Sequence, residues 1–181
     1  MGPIAPLMVV TIQLAAAPSI PPRPLQDAQA MAAHIFAAAK VQIVWSGPGA
    51  ALHLQVMATE LRGAARDAAG FSMLTGGDSP YAAVSWPAVQ RAAAQTEADP
   101  AVALGAAMAH EIGHLLLGPE HSRAGIMSAR LGFHEMNLAA RGELLLDPNA
   151  ARRLANLIAL RPSLLLSLKP KLAPSEWGLT H

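Results

Sequence analysis

The chain has 181 residues, of which 52% are hydrophobic and 14% charged, with a formal net charge of +1. This length suits one compact domain with a sizeable core, and the near-neutral balance gives no electrostatic case for nucleic acid. There is no cysteine, so disulfides and thiolate metal sites are excluded and any metal must be held by nitrogen and oxygen.

The apolar run from Leu7 to Ala17 ends in three alanines before Pro18. It resembles the apolar region and small-residue cleavage site of a secretory signal, although no Lys or Arg precedes Arg23. It is too short to cross a bilayer as a helix. Residues 1–23 are therefore read as a possible export signal and a Pro-rich linker, "PSIPPRP", with a loose apolar tail as the alternative. On the first reading the protein is secreted or periplasmic, without a stable membrane anchor; on the second it stays cytoplasmic.

Pro24 opens a helical pattern in which Leu25, Ala28, Met31, Ala32, Ile35 and Phe36 share one face. Alternation in "VQIVW" (41–45) and "LHLQVM" (52–57) predicts strands, with the turn "SGPG" between them. A third strand is expected at 71–75, closed by Gly76-Gly77, and a fourth at 81–87. Pro87 ends the fourth and argues for an edge position. The stretch "QRAAAQTEA" that follows reads as a loop. Asp99 as cap, Pro100 in the first turn and Gly118 just past the end frame a helix of about five turns. Asp147 and Pro148 open another, stopped by Pro162, and residues 163–181 read as an irregular tail. The order predicts an α+β domain over 24–162: a helix, about four strands in a mixed sheet, then helices.

The chemistry is concentrated in "AHEIGHLLLGPEHSRAGIM", Ala109 to Met127. His110 and His114 are four residues apart on the helix, so both rings leave one face a turn apart. That spacing lets one zinc take both nitrogens at about 2.0–2.1 Å. Glu111 is too close along the backbone to be a third ligand, but it can reach a water in the open coordination position as a general base. Two histidines leave the metal under-coordinated. Gly118 can take a positive φ and reverse the chain, and His121 follows three residues later.

"HEIGH", then Gly118, His121 and "GIM" at 125–127 resemble the metzincin clan of zinc metallopeptidases, in particular its minimal, matrixin-like members. The resemblance covers about 20 residues. It implies zinc held by His110, His114 and His121, with Glu111 as the general base. Gly118 would be the turn glycine, and Met127 the methionine of a Met-turn that floors the site. It also implies a zincin-like fold in which the active-site helix is followed by the Met-turn and a C-terminal helix. Two departures stand out. Leu115, Leu116 and Leu117 separate His114 from Gly118, where the family has two residues. The extra residue turns the helix exit by about 100° unless a local bulge absorbs it. Counting strictly from His114 makes Glu120 the third ligand instead, which is also sound zinc chemistry. The turn glycine and the His-Ser context favour His121. The tyrosine that follows the methionine in the family is missing; Ser128 and Ala129 stand there.

Other polar residues fit blander roles. His34 and His53 read as surface or second-layer residues, Ser122 as a local hydrogen-bonding group, and Glu135 and Glu143, which like His134 follow the Met-turn, as remote ligand candidates. The strand from Tyr81 to Trp86 is either a plain amphipathic strand or an edge along which a substrate peptide adds. The expectation is a zinc-dependent endopeptidase acting on a peptide or protein substrate. Its alternatives are a catalytically silent, zinc-stabilised binding module and a zinc hydrolase of a non-peptide amide.

Overall fold

The β-branched run in "MVVTIQLAA" makes an extended segment that buries Val10, Thr11 and Ile12. It is strand β1, Met8–Ala16, in a computed structural model that describes residues 8–47, 49–61, 69–73 and 80–160. The elements that follow are α1 (Pro22–Ala37), β2 (Val41–Ser46), β3 (Leu52–Met57), β4 (Gly70–Met73) and β5 (Tyr81–Ser85). Then come α2 (Trp86–Thr96), α3 (Pro100–Leu117), α4 (Phe133–Ala140) and α5 (Pro148–Leu160).

The protein is α+β. Its sheet has the order β2-β1-β3-β5-β4. Four strands, β2, β1, β3 and β5, run parallel, and β4 lies antiparallel to β5 at the edge. β1 pairs on both sides, Met8 to Gln13 with β2 and Ile12 to Ala16 with β3. The chain thus steps across β1 between β2 and β3. The Thr11 hydroxyl marks the crossing by accepting the Ala51 N–H at 3.0 Å.

Several expectations change here. The sheet includes residues 8–16, which the sequence placed ahead of the domain. A short apolar run is read alike by an export signal and by a parallel strand buried on both faces. β5 is not the edge strand. Pro87 lies in the first turn of α2, where its missing N–H is no loss, and Ser85 Oγ accepts the Ala88 N–H at 3.2 Å as the cap. The stretch expected to be a loop before Asp99 therefore contains α2, and among the described strands the edge on that side is β4. The C-terminal tail lies outside the described residues.

α3 has the expected bounds, with Asp99 Oδ1 accepting the Ala101 N–H at 2.7 Å. By length and composition α3 could cross a membrane, but it is 78% buried as the central helix of this fold. It packs against α1, α2, α4, α5 and the sheet. Its approach to α1 is close: a Cβ at Gly105 would lie 2.8 Å from Met31 Sδ. α3 thereby holds its last two turns, which carry the polar cluster, against the β4 end of the sheet.

Candidate metal centre

The rings of His110 and His114 are fixed by main-chain carbonyls. His110 Nδ1 donates to Ile126 O at 2.8 Å and His114 Nδ1 to Gly118 O at 2.9 Å. A carbonyl only accepts, so each Nδ1 carries the proton and each neutral ring presents a bare Nε2. The two Nε2 atoms face one another at 3.0 Å. His121 completes the group, its ring centroid 5.3 Å from that of His110 and 4.8 Å from that of His114. One ligand nitrogen from each of the three histidines lies within 4.8 Å of the others, so together they could hold a metal ion. Burial pushes His110 down to about 4, the neighbouring histidines acting in the same direction and the Ile126 carbonyl against it. Burial likewise lowers His114. Both rings are therefore neutral near pH 7, the form that binds metal.

The extra leucine produces no bulge. α3 stays α-helical to Leu117, and the Gly118 N–H still donates to His114 O at 3.0 Å. Gly118 then takes φ of +95° and reverses the chain. His121 is brought to the other two histidines. Glu120 is not: its carboxylate pairs with Arg153 Nη1 at 2.9 Å and its side chain is 72% exposed.

The turn beneath the cluster is built from its own backbone. Ser128 N–H donates to Gly125 O at 3.0 Å, and Ser122 N–H to Met127 O at 2.8 Å. Ile126 N–H donates to Leu145 O at 2.9 Å, which places the Ile126 carbonyl for His110. Gly125 has a φ of +77°, and a Cβ there would collide with Leu145 O. Met127 is buried directly under α3. A Cβ on Gly113 would overlap its Sδ, so the glycine inside "HEIGH" makes room for the methionine.

Glu111 is 6% exposed, and its Oε2 is buried without a hydrogen-bond partner. Burial pushes its pKa up to about 7. The carboxylate lies against Gly70 of β4, where a Cβ would come within 2.7 Å of Oε1. Glu111, the three histidines and Gly70 share a cleft of about 740 Å³.

The other sequence candidates lie elsewhere. Glu135 Oε2 accepts the Gly132 N–H at 3.0 Å at the start of α4, and Glu143 pairs with Arg141 on the surface. His34 Nε2 lies 3.0 Å from Gly142 O, joining α1 to the loop after α4. His53 sits in β3, in register with Tyr81 of β5, and His134 is exposed on α4. Sequence reasoning missed Gly70, Gly113 and the carbonyls of Gly118 and Ile126. For Gly113 a signal existed, a glycine inside a helix; for the carbonyls none did. No protein-family model matches the chain, and no curated protein sequence matches it.

Proposed function

We propose that the protein is a zinc-dependent endopeptidase of metzincin type, with zinc held by His110, His114 and His121. The observation that carries this reading is the pair of bare Nε2 atoms facing at 3.0 Å. Their lone pairs repel unless a cation or a proton lies between them, and both rings hold protons poorly. Three imidazole nitrogens are a fitting donor set for zinc with a position left open. When bound, zinc would supply Lewis-acid polarisation of a carbonyl and acidify water in the cleft.

The chain's own residues do the rest. Glu111 takes a proton from the attacking water and passes it to the leaving amine. A carboxyl raised to about 7 is matched to both tasks at neutral pH. Gly70 lets that carboxylate lie against the backbone of β4. β4 pairs with β5 on one side and with no described strand on the other, so its main chain offers an extended peptide a ladder beside the metal site. Ile126 O and Gly118 O hold the two helical histidines in the tautomer that leaves Nε2 free.

The test is metal content and chelation. The purified chain should hold about one zinc, cleave an unfolded casein, stop when zinc is stripped and resume when it is restored. Stoichiometric zinc without cleavage would favour the binding-module alternative. No zinc at all would end the proposal.

A further inference from the structure

We propose that α5, which supplies no metal ligand, positions the third one: Arg153 grips the bend that leads to His121, at Leu117 and at the neighbouring Glu120. This inference rests on the three-histidine reading above. It concerns how the chain keeps His121 in place across its one extra residue.

His110 and His114 are fixed by α3 and by carbonyls. His121 has no helix beneath it; it is exposed on the loop beyond Gly118. That loop is gripped from α5. Arg153 Nη2 donates to Leu117 O at 3.1 Å, and Nη1 meets Glu120 Oε2 at 2.9 Å. Leu117 O is one of the last carbonyls of α3, which no helical N–H can satisfy. One guanidinium therefore spans both ends of the bend, Leu117 where the helix stops and Glu120 next to the ligand. A planar fork with several fixed donors is preorganised to do this, whereas an ammonium on a flexible stem is not.

The far side of His121 is held by the turn beneath the cluster, where the Ser122 N–H donates to Met127 O at 2.8 Å, and α5 is fixed at its own start. Asp147 Oδ1 accepts the N–H groups of Asn149 and Ala150 at 2.9 and 3.2 Å, which fixes the carboxylate at the first turn of α5. Asp147 Oδ2 is buried and closes no hydrogen bond among the described residues. α5 is itself anchored, with Ala150 and Leu154 buried in the core. Glu120, a rival ligand by sequence counting, becomes an anchor of the loop instead.

The experiment uses the full chain with Arg153→Ala, Arg153→Lys and Glu120→Gln, each also made with His121→Ala. Two readouts are taken: hydrogen exchange of the Ser122 amide in metal-free protein, and affinity for Zn²⁺ by competition with a chromophoric chelator. Arg153→Ala should speed Ser122 exchange and weaken zinc binding about five- to tenfold. Arg153→Lys should recover little of either loss, and Glu120→Gln should give a smaller one. With His121→Ala present, Arg153→Ala should cause no further loss of affinity. Unchanged exchange and affinity in Arg153→Ala would overturn the proposal, as would an equal affinity loss with and without His121. If the unaltered chain binds no zinc, the metal reading fails and the Ser122 exchange alone decides whether α5 holds the loop.

Discussion

Replacing Glu111 by Gln should stabilise the metal-free protein, and by an amount that depends on pH. The Glu111 carboxyl moves from an ordinary 4.5 to about 7 on burial, a difference of about 2.5 units. At about 1.36 kcal/mol per unit this is about 3 kcal/mol. Below pH 4.5 the group is protonated in both folded and unfolded chains and costs nothing. Between 4.5 and 7 the folded chain binds the extra proton, so stability falls as pH rises. Above 7 the whole penalty of a buried carboxylate is present. Glutamine fills the same space without that charge. The lowered pKa of His110 acts oppositely, adding stability as pH rises from about 4 to 6.5, but both proteins share it and it cancels in the difference. Urea unfolding of both chains, with a chelator present, should therefore show no gap at pH 4 and a gap of about 2–3 kcal/mol at pH 8. A gap that stays constant with pH would refute the reasoning, because it would place Glu111 in contact with water or with a partner.

Gly113→Ala should cost about 1–2 kcal/mol in urea unfolding, since overpacking against Met127 Sδ outweighs the gain in helix propensity; equal or greater stability would show that Met127 can move aside. Gly70→Ala should displace Glu111 and lower kcat on casein at least tenfold while zinc content stays the same; a loss of zinc instead would mean that the strand supports the histidines. A chain beginning at Pro18 lacks β1 and should show no cooperative unfolding by circular dichroism; a folded, zinc-binding product would show that the sheet survives without its doubly paired strand.

Punctuation was legible wherever one residue decides the backbone. Asp99, Pro100 and Gly118 bracketed α3 to the residue, and the alternation in "LHLQVM" gave β3 its bounds. Non-local pairing was not legible. "MVVTIQLAA" carries the same apolar signal whether it enters a translocation channel or a sheet, and only β2 and β3, which lie beyond α1, tell the two apart. Pro87 stops a strand and starts a helix with equal ease, so the sequence carried the strand to Pro87 where β5 ends at Ser85, and put it at the wrong place in the sheet. At the cluster, counting residues left Glu120 and His121 both open as ligands. What separates them in the structure is Arg153, far along the chain, which engages Glu120 and the end of α3 while His121 lies with the other two histidines. The carbonyls that orient His110 and His114 have no side-chain identity and leave no trace in a sequence.

The most direct test compares the unaltered chain with Glu111→Ala, both loaded with zinc and incubated with unfolded casein, the metal content of each being measured. The account predicts about one zinc in both, cleavage by the first and none by the second. Cleavage that persists without Glu111, or zinc that leaves with it, would contradict the assignment of this buried carboxyl as the proton carrier.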